Sequence, residues 1–221
     1  MYPCNFFHKN LSSSHSKQAF PLAGYTGIHH NFAMILPIVK YGHPTLRQKG
    51  DAVDTFDAAL EQFVDDMLDT MYDADGVGLA AQQVGKATQV TVIDVSQVED
   101  RPSKMAVEGK EVPIPDFMPL VLINPAVKPL NEMVKGPEGC LSFPEIYADI
   151  ERPESVEVSA QDHKGNSFTF TCGGLLAKAV QHEVDHLKGI LFIDRMERKD
   201  KDKLRHILEA MRETTQKELP Q

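Results

Sequence analysis

The sequence predicts an α+β fold: mostly antiparallel sheets packed around a central helix, with one helix before the sheets and one after. Three observations carry this expectation. Over residues 54–72 the apolar positions Phe56, Leu60, Phe63, Met67 and Met71 step by three or four, the period of an amphipathic helix. Between residues 89 and 172, short runs rich in β-branched residues alternate with turn residues. A run of strands followed by helices points to α+β rather than to alternating α/β units. After Gly173-Gly174, the residues Leu175, Leu176, Ala179, Val180, Val184 and Leu187 make a helix apolar over much of its circumference. Such a helix belongs at the centre of the fold.

The elements follow in order. Residues 1–33 contain no Asp or Glu, two lysines, several serines and four of the nine histidines. They show no apolar periodicity and no apolar core of a secretory signal. They are expected to be a disordered extension, or to precede the working start at Met34. Residues 34–221 are expected to form a single catalytic domain. The low acidity and serine content of residues 1–33 leave organelle targeting open, although they lack the arginine common in transit peptides. The first helix takes Asp54 or Thr55 as its N-cap. A strand is expected at 89–95. Residues 97–118 carry charge and Pro102, Pro113 and Pro115, which suits a loop or loose hairpin. Short strands are expected at 119–123, 126–134, 146–150, 155–161 and 167–172. Asp162-His163-Lys164-Gly165-Asn166 forms the turn between the last two. The central helix runs to about Lys188, before Gly189, and a last helix covers about 200–217.

Composition excludes several classes of function. A chain of 221 residues can bury a core as one domain. No apolar run approaches the length of a transmembrane helix, so no membrane partner is expected. The net charge of −9 argues against a direct nucleic-acid role. The basic run Arg195, Arg198, Lys199, Lys201, Lys203 and Arg205 is interleaved with Glu197, Asp200 and Asp202, and reads as a solvated helix start. Three cysteines, Cys4, Cys140 and Cys172, without a secretory signal suggest a reducing compartment. Cys172 ends an apolar strand pattern and reads as a buried small hydrophobe.

The chemistry concentrates in Gln181-His182-Glu183-Val184-Asp185-His186. Histidines at i and i+4 share one helix face, so both imidazoles can reach a single metal ion. Glu183 lies about 100° around the helix from His182, beside the metal without having to bind it. This is the layout of a metal-activated water with a carboxylate base next to it. Catalytic metals usually take three protein ligands plus an open position. The segment Pro137-Glu138-Gly139-Cys140-Leu141-Ser142 offers Cys140 as the third. One thiolate and two neutral imidazoles leave a divalent site with a net charge of about +1, which lowers the pKa of bound water. Such a ligand set suits Zn, Fe(II), Co or Ni.

Together with Gly76-Val77-Gly78-Leu79-Ala80-Ala81-Gln82-Gln83, these segments resemble the three signature motifs of the bacterial-type peptide deformylases, in that family's order. The resemblance extends from about Ile35 to about Glu213, and the segment from Met34 to Pro44 is similar to the start of a bacterial member. It implies a hydrolase that removes the formyl group from the N-terminal formyl-methionine of new polypeptides and releases formate. It implies Cys140, His182 and His186 as metal ligands and Glu183 as general base and acid. Gln83, through its side-chain amide, and Leu141, through its backbone N–H, would donate to the developing oxyanion. Gly76, Val77, Gly78, Gly139, Leu175 and Lys178 would bind substrate, the glycines by letting its backbone approach. The implied cofactor is one divalent ion per chain: Fe(II) in the cell, with Zn, Ni or Co in purified protein. The implied partners are nascent formyl-methionyl chains at the ribosome exit, met by a monomer in the bacterial cytoplasm. Two residues depart from the pattern. Lys178 stands where an apolar residue is usual, and Tyr147 where many bacterial members carry arginine; both bear on how the peptide beyond methionine is read.

Two rival readings are weaker. A metallopeptidase would take its third ligand downstream of the helix, where His206 on a charged helix is the only histidine. A structural metal site would need four protein ligands, with Cys172 as the fourth and no purpose for Glu183.

Overall fold

The computed structural model describes residues 34–219, and the expectations for residues 1–33, Cys4 among them, lie outside that range. The first helix forms as α1, Ala58–Asp73. Its N-cap is Asp57, not Asp54 or Thr55. The Asp57 carboxylate accepts a hydrogen bond from the Leu60 amide, satisfying a free N–H at the positive end of the helix. Asp54 instead accepts from the Thr55 hydroxyl. The apolar stripe of α1 is buried at Phe63, Val64, Met67, Leu68 and Met71.

The strands are β1 (Gly78–Ala80), β2 (Val90–Ile93), β3 (Ser103–Val107), β4 (Lys110–Glu111), β5 (Leu120–Pro129), β6 (Met133–Cys140), β7 (Phe143–Pro153), β8 (Ser155–Gln161) and β9 (Ser167–Gly173). Among the described residues they make a seven-stranded sheet, β1-β2-β5-β8-β9-β3-β4, and a two-stranded sheet, β6-β7. Every strand pair in both is antiparallel. The hairpin β8–β9 and its turn at 162–166 form as expected.

Three details differ from the sequence expectation. The segments expected as separate strands at 119–123 and 126–134 are largely one strand, β5, interrupted by a bulge between Ile123 and Ala126. The region 97–118 does hold a hairpin, but β3 also pairs with β9 and so extends the main sheet. The stretch leading to Cys140 is strand β6 throughout. Gly136, Pro137 and Gly139 give it little intrinsic strand preference, and its pairing with β7 decides its conformation.

The two faces of the main sheet bury different helices. Val92, Val121 and Ile123 pack with α1, while Ile93, Leu122 and Val158 face the other way. There they meet α2, Gly174–Leu187, through Leu176, Val180 and Val184. Apart from Gly174 and Lys178, every residue of α2 is buried, which makes it the central helix. A third cluster joins Phe143 and Ile150 of β7 to Leu191, Phe192 and Leu208. Leu208 belongs to α3, Arg198–Glu218, whose charged start is exposed and laced with ion pairs such as Lys203–Asp200. Cys172 is 3% exposed, and burial pushes its thiol up to about 12, as fits a small core residue. Among the described residues no helix is long and apolar enough to cross a membrane.

The β5 bulge is held by Asn124, whose φ of 51° is left-handed. Its side chain accepts from the Val53 N–H at 2.9 Å and donates to Val53 O and Gln161 Oε1, both at 2.8 Å. Asn124→Ala removes these bonds and places a Cβ-bearing residue with no local compensation at positive φ. It is expected to cost about 2–3 kcal/mol of stability. Urea unfolding checks this, and an unchanged midpoint would refute it.

Candidate metal centre

Helical geometry stacks His182 and His186 one turn apart on α2, with ring centroids 5.0 Å from each other. Cys140 arrives from the other sheet, at the end of β6, where a register shift between Gly139 and Cys140 turns the strand. Its Sγ lies 3.3 Å from His186 Nε2. One donor atom from each of Cys140, His182 and His186 falls within 4.8 Å of the others. A cation bound at about 2.0–2.3 Å to nitrogen and sulfur can bridge such separations with modest closure. Beside these donors, His186 Nδ1 and Glu183 Oε2 are buried polar atoms without a hydrogen-bond partner. The chemistry of the donors and their convergence fit one metal ion held by Cys140, His182 and His186. Cys172 is elsewhere, in the core between sheet and α2, and His206 is exposed on α3.

Sequence reasoning did not assign roles to the layer that holds these ligands. Arg152 of β7 is 1% exposed. It donates through Nε and Nη2 to Glu138 at 2.6 and 2.9 Å, and through Nη1 to Asp185 at 2.7 Å. Arg195 completes the charge balance on Asp185 from 2.5 Å. Glu138 Oε2 in turn lies 3.1 Å from His182 Nδ1. Burial alone would raise the Glu138 carboxyl, but hydrogen bonds from His182 and Arg152 outweigh it and hold it at about 2. The ionised carboxylate can only accept, so His182 Nδ1 carries the proton and Nε2 keeps its lone pair for a metal. Glu138 and Asp185 lie inside the two motifs and could have been suspected from them. Arg152 gives no signal, because an arginine in a strand ordinarily reads as exposed.

Glu183 is 4% exposed, and burial raises its carboxyl to about 7. A cation at the neighbouring ligands would draw it back down. Gln83 Oε1 accepts from the Ala80 N–H at 2.8 Å, which aims Nε2 at Cys140 Sγ, 3.6 Å away. The Leu141 carbonyl accepts from Lys40 Nζ at 2.9 Å, a contact not foreseen from the sequence.

These groups open on a cavity of roughly 580 Å³. Gln83, Leu141, Glu183, Cys140 and His182 line it, and His186 lies behind them. Gly76, Val77, Gly78, Gly139, Leu175 and Lys178 line it too, so the residues expected to bind substrate are brought together. Two of these glycines also serve the packing of the site. A Cβ on Gly78 would stand 2.6 Å from Glu183 Oε1, and one on Gly76 would stand 2.9 Å from Leu141 Cδ1. Both glycines make room for residues of the site itself. Tyr147 is 74% exposed and lies across Gly139.

Glu138→Gln would keep the shape while weakening the acceptor that fixes His182. Metal affinity is expected to fall about 10–100-fold. Chelator competition measures it; an unchanged affinity would show that Glu138 does not support the ligand.

Known proteins place this geometry. The sequence model of the polypeptide deformylase family matches residues 35–216. Peptide deformylase of Opitutus terrae is 46% identical over 168 residues, covering 75% of this chain and 87% of that protein. The chloroplastic/mitochondrial peptide deformylase 1B of Arabidopsis thaliana is 42% identical over 181 residues, covering 81% and 61%. The crystal structure of Synechococcus elongatus peptide deformylase with actinonin superimposes with a TM-score of 0.66 at 40% identity, covering 80% of this chain and 85% of that one. With the match spanning nearly all the described residues, the chain belongs to the polypeptide deformylase family, enzymes that remove N-formyl groups.

Proposed function

We propose that the cavity's residues divide the hydrolysis of a formyl-methionyl end among themselves as follows. One observation carries the reading: buried Glu183, whose Oε2 lacks a partner, lines the same cavity as Cys140 and His182 of the donor group. The peptide enters as an extended strand along β1. That strand is at the end of the main sheet and has one unpaired edge, the arrangement used for strand addition. Gly76, Val77 and Gly78 supply that edge, and Leu175 offers an apolar wall to the methionine side chain. A divalent cation on the three ligands, when bound, lowers the pKa of water and polarises a carbonyl. Glu183 accepts the proton of the attacking water and delivers it to the leaving amine. Gln83 Nε2 and the Leu141 N–H donate to the formyl oxygen as charge develops on it. The products are formate and a free amino terminus.

The finer assignments follow the same reading. Iron(II) is the cellular metal, with zinc, nickel or cobalt compatible with the donors. The enzyme works as a cytoplasmic monomer on nascent chains near the ribosome exit. Residues 34–221 form the catalytic domain, since the family match begins at residue 35.

Cys140→Ala should lose the metal while Cys172→Ala keeps it. Glu183→Ala should keep the metal, yet its turnover of a formyl-Met peptide should fall about 10²–10⁴-fold. Metal analysis and a formate-release assay on the three variants test this together. Full metal content in Cys140→Ala, or near-native turnover in Glu183→Ala, would refute the corresponding role. Protein beginning at Met34 and purified without oxygen should carry about one iron per chain and match the full chain in rate. Zinc in place of iron, or a slower enzyme, would overturn the metal or the domain assignment.

A further inference from the structure

Lys178 breaks the burial of α2. Its side chain enters the catalytic cavity, and its ammonium rests against Gly136 of β6. Arg101, two residues before β3, lines the same cavity and donates to the Pro137 carbonyl at 3.3 Å. Two cations therefore converge on neighbouring residues of one strand. Gly136 and Pro137 precede Cys140 by four and three positions. At about 3.4 Å per strand residue, the backbone they touch lies up to roughly 10–14 Å along β6 from Cys140. That is the reach of the first side chains beyond methionine on an extended peptide.

Neither cation has an ion-pair partner among the described residues. Glu138 is committed to Arg152 and His182. Asp149, exposed and opposite Pro137 on β7, acts on Lys178 only from a distance. The cavity's exposed carboxylates are Asp75 and Glu145. Asp75 adjoins Gly76, at the Leu141 side, and Glu145 follows the turn into β7. Burial lowers the pKa of Lys178, and repulsion from Arg101 and Arg152 adds to it against the opposing pull of Glu138 and Asp149. Two like charges held together without a direct ion-pair partner gain from an incoming anion.

We propose that Lys178 and Arg101 form a carboxylate-reading subsite, so that the enzyme favours formyl-methionyl chains with Asp or Glu at the first or second position after methionine. This rests on the reading of the cavity as the formyl-methionine site. The test is kcat/KM of the metal-loaded full chain on C-terminally amidated formyl-Met peptides, so that the peptide's own terminus adds no carboxylate. The series carries Asp, Ala or Lys at the first or second position after methionine. Asp at one of them should exceed Ala by about three- to tenfold, through KM, and the ratio should shrink toward unity in about 0.5 M salt. Lys178→Met and Arg101→Gln should each reduce the ratio, and Lys178→Glu should turn the preference toward Lys. No Asp preference in the wild type would overturn the proposal. So would a ratio unchanged in the variants, even with activity uniformly lower, since that would assign Lys178 and Arg101 to packing. Failure of every peptide to react would instead sink the underlying formyl-methionine reading.

Discussion

A buried arginine ties this molecule together. Arg152 sits on β7, bonds Glu138 on the adjacent β6 and reaches Asp185 on α2. It thereby fixes the two-stranded sheet against the central helix at the place where the metal ligands meet. Charges this deep are costly unless each is paired and hydrogen-bonded, and removing one partner of such a set typically costs about 3–5 kcal/mol. Here the pairing is complete, with Arg195 as the second cation on Asp185. The same ion network that joins this sheet to the helix also orients His182 through Glu138. Fold and site are therefore not separable at this point.

The site itself is assembled from four segments, and each contributes through backbone placement. A helix supplies two imidazoles at a spacing no other element reproduces. A strand end supplies the sulfur. A short 3-10 turn after β1 supplies Gln83, whose carbonyl oxygen is tied to Ala80 so that only its NH₂ faces the site. Glycine at position 78 lets the Glu183 carboxylate lie against β1 with no side chain between them. Preorganisation of this kind lets donors act without rearrangement when charge develops. The catalytic cavity lies between the edge strand β1 and the end of β6, which leaves an unpaired strand edge beside the reacting groups.

Around these groups, the cavity wall carries several long polar side chains. Lys178 is the only side chain of α2 beyond Gly174 that is not buried, and it opens onto the cavity rather than onto the core. Tyr147 covers Gly139 from outside, and Lys40 holds the Leu141 carbonyl. Wall residues of this sort change which peptides bind well without touching the bonds that are made and broken. Their effect belongs to specificity, where partly desolvated charges discriminate among partners.

The chain alone determined a good deal. The helical period of residues 58–73, the β-branched runs at 155–161 and 167–173, and the apolar circumference of α2 are local patterns, and local patterns are legible in sequence. So were Cys140, His182, Glu183 and His186, because residue type and an i, i+4 spacing already imply metal chemistry. What escaped was set by contacts distant in sequence. The glycine- and proline-rich run before Cys140 is a strand only because β7 pairs with it. The bulge in β5 exists because Asn124 bonds Val53, 71 residues earlier. Arg152 is buried because carboxylates from β6 and α2 surround it, and nothing in its own neighbours along the chain announces them. That Gly78 also makes room for Glu183 shows only once the fold brings the two together. Side-chain identity names the chemistry, but only tertiary packing decides which groups share a dielectric, a partner and a cavity.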